Sequence, residues 1–279
     1  QLNNDQAKAA IATLIRLISE TSTENAEIHY ALAGAHFENE QYAAGITALE
    51  KAIGFASPPK PEWQKLLVSA HLENEDPTAA VKVGEVLLTQ NPDDKRLILT
   101  LASAYLDLEQ QDRAILLLEG ARNQGLFTEA RDYQMLYAMY FNVDGREKDV
   151  IAVIQEGLSK GLLQRDVQTL SALAQAAYFA EDMALALASY GEAAALDPKG
   201  DTGLNHAKVL SAEAQDAAAR DAAKTALAKG VNKPGDAWMV IARSEAQLDN
   251  IPAMRAALQE AAKFAETREQ ATRMLQQIR

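Results

Sequence analysis

The spacing of apolar and polar positions along this chain predicts pairs of helices, and the same pair recurs about every 34 residues. The clearest copy is AEIHYALAGAHFENEQYAAGITALEKAI, from Ala26 to Ile53. Apolar residues three and four positions apart mark one face of each of its two helices. We place the starts of seven such copies at Ala26, Pro61, Lys95, Arg131, Val167, Gly200 and Gly235. The pattern predicts an all-α protein built from about seven helical hairpins.

Three positions of each copy carry mostly small residues. In the first helix this position holds Ala33, Val68, Ala102, Ala138, Ala174, Ala207 and Ala242. Early in the second helix it holds Gly45, Ala80, Ala114, Val150, Ala186, Ala219 and Met254, and late in that helix Ala52, Leu87, Ala121, Gly157, Ala193, Ala226 and Ala261. Small side chains let two helices approach closely where they cross. We therefore expect a close helix crossing at these positions in every copy.

The chain is predicted to form one helical solenoid over residues 1–279, with residues 26–265 forming the repeats. A leading helix is expected within residues 1–25, around Asp5–Ser19, and a closing helix within residues 266–279, around Glu266–Ile278. An end repeat has one uncovered apolar face, and the closing helix is predicted to cap it. Runs of alternating β-branched residues are absent, so we predict no strands.

Composition narrows the classes of function. The net charge is −12 and the pI is about 4.9. Binding of nucleic acid requires a basic face, so we predict no nucleic-acid partner. The acidity fits a solvated surface and, alternatively, a preference for basic partners. No apolar stretch approaches the roughly 20 residues that a transmembrane helix needs. The chain lacks cysteine, which fits an oxidising compartment, and it begins at Gln1, which suggests a processed product.

Candidate chemistry is sparse. His36 and His71 occupy the same position in adjacent copies, but no spacing of metal ligands such as HExxH occurs. We expect each ring to pack within its hairpin with a nitrogen bonded locally. The chain has no nucleophile elbow and no phosphate-binding glycine loop, and acidic pairs such as Glu73 and Glu75 fall at predicted turns. We predict no catalytic site, no metal and no cofactor.

The repeats resemble the tetratricopeptide repeat family, whose pattern places Trp, Tyr, small residues and Pro at fixed offsets. Trp238 occupies the Trp position of the last copy, Tyr105 the Tyr position of the third, and Tyr42 the aromatic position before the second helix of the first. The sixth copy departs from the pattern at His206 and Asp216, so we expect the least stable hairpin there. The resemblance implies a right-handed superhelix that acts as a scaffold for protein interactions.

In that family the first helix of each hairpin lines a concave groove, which binds a protein or a peptide. The positions implied here are Tyr30, Phe37, Lys65, Leu72, Leu99, Leu106, Met135, Met139, Asn142, Gln175, Tyr178, Lys208, Met239 and Arg243. The alternative is that some of these side chains pack under the next repeat. A carboxylate clamp, which some co-chaperones of the family use, is not favoured, because Tyr30, Gly34 and Ser69 accompany Lys65 instead of the usual Lys and Asn.

Several longer segments resemble a bacterial envelope subfamily of tetratricopeptide proteins encoded beside TonB, ExbB and ExbD components. The segments are SPPKPEWQKLLVSAHLENED (57–76), LLLEGARNQGLFTEARDYQML (116–136), EGLSKGLLQRDVQTLSALAQAA (156–177) and ALAKGVNKPGDAWMVIARSEAQL (226–248). This resemblance implies a periplasmic adaptor in a TonB-type transport complex, with association to a membrane complex. A cytoplasmic scaffold, or a regulatory region of a larger assembly or secretion protein, remains the alternative.

Overall fold

A computed structural model describes residues 2–278 of the chain, with side chains from Asp5 to Ile278. Gln1 and Arg279, which belong to the predicted leading and closing segments, lie outside the described residues. The helices are α1 Leu2–Thr21, α2 Ala26–Glu38, α3 Tyr42–Phe55, α4 Pro61–Glu73, α5 Pro77–Gln90, α6 Lys95–Asp107, α7 Gln111–Asn123, α8 Ala130–Tyr140, α9 Glu147–Ser159, α10 Val167–Phe179, α11 Met183–Leu196, α12 Asp201–Ala212, α13 Asp216–Ala228, α14 Pro234–Gln247, α15 Ile251–Ala261 and α16 Arg268–Gln277.

These helices confirm the predicted fold class, an all-α solenoid of tetratricopeptide type. Helices α2 to α15 form seven hairpins, each made of two consecutive helices that pack against each other. Helix α1 precedes them and α16 follows them, as the sequence pattern predicts. Residues 2–278 contain no strand, and none of their helices is both long and apolar enough to cross a membrane.

The chain divides into two compact units, one up to Phe127 with α1 to α7 and one from Thr128 with α8 to α16. The first unit has a core around Leu49 and Trp63, and the second has a core around Leu258. In the second unit, α16 buries Ala271 and packs Met274, Leu275 and Ile278 against the last repeat, as expected for a closing helix. A single solenoid over residues 1–279 stays a prediction.

Short polar side chains and prolines determine where many of the helices begin. The side chains of Asp76, Asp94, Asp166 and Asp182 each accept a hydrogen bond from a backbone N–H of the first helical turn that follows. Such caps satisfy donors that the helix itself cannot pair. Prolines stand in the first turns of α4, α5, α14 and α15, where the missing N–H costs nothing. Repeat boundaries are therefore encoded locally, residue by residue.

The predicted close crossings are present at most small positions. All seven late positions of the second helices are buried, from Ala52 to Ala261. The early positions are buried except for Met254, which is half-buried. Six of the seven first-helix positions are buried as well, and Ala174 is 0% exposed.

The fourth copy differs from the prediction, because Ala138 is exposed and the residue before it, Tyr137, is buried. The first helix of this copy begins at Ala130, one residue earlier than the predicted start. A capping box determines this start: the Asp132 carboxylate accepts hydrogen bonds from the backbone N–H groups of Thr128 and Glu129, at 2.8 and 2.9 Å. The assignment of Ala138 to the helix crossing was therefore wrong.

The turn inside this hairpin restores the register of its second helix. The turn between α8 and α9 has six residues, 141–146, whereas the turn inside each of the other six hairpins has three. As a result α9 begins at Glu147, sixteen positions after the predicted start of its copy, as the second helices of the other hairpins do. Gly145 provides the left-handed backbone of this longer turn, with φ 79°. Val150 and Gly157 consequently occupy their predicted buried positions.

Candidate peptide-binding surface

The first helices of the hairpins present the residues that we predicted to face a partner. We call this the first-helix surface, and we describe it separately in each unit. Exposed members are Tyr30, Lys65, Leu106, Asn142, Gln175, Tyr178, Lys208 and Arg243, and half-buried members are Phe37, Leu72, Leu99, Met135 and Met239. These thirteen side chains are therefore at least partly accessible to a partner.

Met139 is the exception, because it is only 4% exposed. The buried face of α8 lies one residue earlier than the repeat register predicts, so Met139 faces the core, whereas Ala138 is exposed and Phe141 half-buried. The assignment of Met139 to the groove was thus wrong for the same reason as the assignment of Ala138. Met135 remains half-buried and Asn142 exposed.

In the first unit, the first-helix surface includes a cleft of about 310 Å³ between α4 and α6. Lys65 lines this cleft, and its ammonium lies 2.6 Å from the Asp94 carboxylate, which also caps α6. Burial pushes the pKa of Asp94 upward, but hydrogen bonds from Lys65 and from the Leu97 N–H outweigh it and lower that pKa. The bond to Asp94 likewise raises the pKa of Lys65. Lys65 is therefore engaged within the protein.

Tyr30, the first of the predicted residues along the chain, stacks on a neighbouring repeat. Its ring lies 4.7 Å from the Trp63 ring, at an interplanar angle of 11°. The Lys60 ammonium lies 4.3 Å from the centre of the same Trp63 ring. One face of Tyr30 is consequently occupied by the protein itself, and 40% of the residue remains exposed.

In the second unit, the first-helix surface forms a cleft of about 420 Å³ between α10 and α12. It is lined by Gln175, Tyr178, Phe179, Tyr190, Asn205, Lys208 and Val209. Three of these residues, Gln175, Tyr178 and Lys208, were predicted from their repeat positions alone. They come from two consecutive repeats, and the stacking of α10, α11 and α12 brings them together. We call this site the α10–α12 cleft.

The α10–α12 cleft combines aromatic surface with polar groups. Tyr178 and Phe179 meet edge to face, with ring centres 5.6 Å apart, and they are 37% and 60% exposed. Burial, together with the nearby Tyr178, raises the pKa of Tyr190, whose hydroxyl therefore stays protonated well into the alkaline range. Lys208 forms an ion pair of 2.8 Å with Asp236.

These groups suit recognition of a peptide backbone. The amide side chains of Gln175 and Asn205 offer both donors and acceptors, which is what an extended peptide backbone requires. Among the described residues, no group of three or more His, Cys, Asp or Glu could hold a metal ion.

The His36 ring bonds Gln41 at 2.8 Å, so its predicted local hydrogen bond is confirmed, whereas His71 Nδ1 has no partner among the described residues.

Sequence reasoning missed four residues of the cleft: Phe179, Tyr190, Asn205 and Val209. Phe179 directly follows Tyr178 at the end of α10, and two adjacent exposed aromatic residues would have been a usable signal. Asn205 lies one helical turn before Lys208, so it shares that face of α12. Tyr190 and Val209 are buried and pack together with Ala174, and no surface pattern marks them.

Comparison with protein families supports the repeat assignment. Two family models described as "Tetratricopeptide repeat" match the sequence, one at residues 71–140 and the other at residues 1–61 and 30–95. Together with the helix order these matches decide the assignment. The chain belongs to the tetratricopeptide repeat family. No curated protein matches the sequence.

Solved structures share the fold of this tetratricopeptide protein at low sequence identity. YrrB, described as "a TPR protein with an unusual peptide-binding site", is 14% identical, with a TM-score of 0.53, over 66% of this chain and 93% of that chain. MamA is 17% identical over 58% of this chain and 94% of its own, with a TM-score of 0.48. A tetratricopeptide repeat protein from Parabacteroides merdae is 14% identical over 87% and 94%, with a TM-score of 0.46. At these identities the similarity concerns the fold alone.

Proposed function

We propose that this tetratricopeptide protein is a non-enzymatic scaffold that binds an extended peptide segment of a partner protein in the α10–α12 cleft. The observation that carries the proposal is the convergence of Gln175, Tyr178 and Asn205 on one cleft from two consecutive repeats. Protein interaction is the general role of the family, and a relative of similar fold is described as having a peptide-binding site.

The side chains of the cleft have different roles in binding, which follow from their chemistry. Tyr178 and Phe179 expose ring surface that buries an apolar side chain of the peptide, and rigid aromatic residues lose little conformational entropy on binding. Gln175 and Asn205 pair with the peptide backbone, which would otherwise lose its hydrogen bonds to water. Lys208 is held by Asp236, so the ion pair positions the lysine at the edge of the cleft.

Selection from a random-peptide display library against the immobilised protein tests this assignment. The selected peptides are then measured by titration calorimetry against the protein and its variants. Tyr178→Ala and Asn205→Ala are each expected to weaken binding about tenfold, since they remove buried ring contacts and a backbone hydrogen bond respectively. Thermal melting of each variant checks that the fold is retained.

Gln155→Ala provides the matched control, because Gln155 is an exposed amide on α9, a second helix, and does not line the cleft. Its peptide affinity should equal that of the unmodified protein. The proposal is wrong if the selected peptides bind the Tyr178 and Asn205 variants as tightly as the unmodified protein.

We further propose that the scaffold works in the periplasm as an adaptor of a TonB-type transport complex, associated with a membrane complex. The proposal rests on the likeness of segments 57–76, 116–136, 156–177 and 226–248 to the envelope subfamily, and the lack of cysteine is compatible with that compartment. Fractionation of cells that express the tagged protein from its own gene should place it in the periplasm, and cross-linking should join it to ExbB or ExbD. Recovery in the cytoplasmic fraction would instead support the alternative, a cytoplasmic scaffold.

A further inference from the structure

A second cavity lies in the first unit, away from the first-helix clefts, between the leading helix α1 and the first hairpin. Its volume is about 530 Å³, within the range of small-molecule sites. The lining residues are Ile15, Ile18, Ser19, Glu24, His29, Leu32, His36, Ala44, Thr47, Ala48 and Lys51. Apolar side chains of α1, α2 and α3 therefore form the walls, and polar groups are spaced among them.

The histidines in the wall present hydrogen-bond acceptors. His29 is 2% exposed, and its Nε2 lies 3.3 Å from the Glu24 carboxylate, which can only accept, so Nε2 carries the proton. The other ring nitrogen, Nδ1, is then an acceptor, and it has no partner among the described residues. In His36, Nδ1 donates to the side-chain oxygen of Gln41 at 2.8 Å, which leaves Nε2 as an acceptor.

The hydroxyl groups of the wall are also hydrogen-bond acceptors. Ser19 donates its proton to the Arg16 carbonyl at 3.0 Å, and Thr47 donates to the Ala43 carbonyl at 3.0 Å. Both hydroxyl oxygens thus face a ligand with lone pairs only. The charged lining residues are Lys51 and Glu24, and the Glu24 carboxylate lies 3.3 Å from His29 Nε2.

The end of α1 adds a negative potential. The last turn of this helix contains no Lys, Arg or His, and its carbonyl ends carry the negative pole of the helix dipole. Ser19 of this last turn lines the cavity, and Glu24 follows a few residues later. The Glu24 carboxylate, the two hydroxyl oxygens and the negative end of α1 together favour a cation with several N–H donors.

We propose that the cavity between α1, α2 and α3 binds small aliphatic amines in their ammonium form. The ammonium group donates to the Glu24 carboxylate and to His36 Nε2, while the alkyl chain packs against Ile15, Ile18 and Leu32. This site is independent of the α10–α12 cleft, and either can be disproved without the other.

Titration calorimetry with n-hexylamine near neutral pH tests the site directly. Saturable binding of one molecule is expected, and 1-hexanol and hexanoate, which have the same chain length, are expected to bind at least about tenfold more weakly. Glu24→Gln should weaken binding of the amine about tenfold because the charge-assisted hydrogen bond is lost. In ¹⁵N spectra, the Nε2 resonance of His36 should shift on saturation, which a merely apolar binding mode would not cause.

Glu38→Gln is the matched control, since Glu38 is an exposed carboxylate on α2 that does not line the cavity. Its affinity for hexylamine should equal that of the unmodified protein. The absence of saturable binding, equal binding of hexanol or hexanoate, or unchanged affinity in the Glu24 variant would each overturn the proposal.

Discussion

Close packing in this protein depends on glycines that leave space for a large neighbouring side chain. At Gly157 of α9, an added Cβ would lie 2.7 Å from Leu163 Cγ and 3.1 Å from Tyr133 Cγ. Both neighbours are buried, and they have no free space into which to retreat. Gly84 stands in the same relation to the Leu101 side chain. Large neighbouring side chains therefore fill the space beside both glycines: Leu163 and Tyr133 beside Gly157, and Leu101 beside Gly84.

Replacement of Gly157 by Ala should therefore lower the free energy of unfolding by about 1–3 kcal/mol, the usual cost of overpacking a core. Gly34→Ala is the matched control, because a Cβ at Gly34, in the interior of α2, would meet nothing within 4 Å. That substitution should raise the free energy of unfolding by up to about 1 kcal/mol through helix propensity alone. Urea denaturation of both variants measures the difference, and equal effects of the two substitutions would contradict the packing account.

The residues of the α10–α12 cleft show how far a repeat pattern predicts a site. Gln175, Tyr178 and Lys208 were found because their outward positions repeat with the helices. Asn205 and Phe179 lie between those positions, so the repeat register alone does not select them. Whether two outward residues of neighbouring repeats share one cleft depends on the side chains between them, here Tyr190 and Val209, and this packing is not visible in the sequence.

At the scale of helices, the sequence predicts starts well where a cap or a proline marks them. Helices α2, α4, α6 and α10 begin at the predicted residues, and α12 and α14 begin one residue away from them. The side chains of Asp94 and Asp166 accept hydrogen bonds from backbone N–H groups in the first turns of α6 and α10, and Pro61 fits the first turn of α4. Local chemistry suffices for these elements.

The fourth hairpin marks the limit of that reasoning. Placing small residues in one register assumes a constant turn length, and the turn before α9 is three residues longer than the turn inside each of the other six hairpins. The repeat register with Ala138 at the helix crossing predicts a helix start at Arg131, whereas the capping box of Glu129 and Asp132 places the start at Ala130. Burial of the large Tyr133 and Tyr137 then became possible because Gly157 leaves space beside Tyr133. This outcome depends on tertiary packing rather than on the pattern of one helix.

For the molecule as a whole, the strong net charge and the local binding chemistry have different roles. A net charge of −12 favours encounters with basic partners at long range, an effect that salt screens. The α10–α12 cleft itself is lined by aromatic rings, amides and one lysine already paired with an aspartate. Affinity in the cleft should therefore come from buried rings and backbone hydrogen bonds rather than from charge.

Photo-cross-linking of a selected peptide to the full chain, with benzoylphenylalanine at its apolar anchor position, tests the central claim most directly. The account predicts that mass spectrometry finds the adducts in α10 and α12, at or beside Tyr178, Phe179 and Asn205. The adducts should disappear when unlabelled peptide competes. Adducts confined to the second helix α13, or to the first unit, would contradict recognition by the first-helix surface of the second unit.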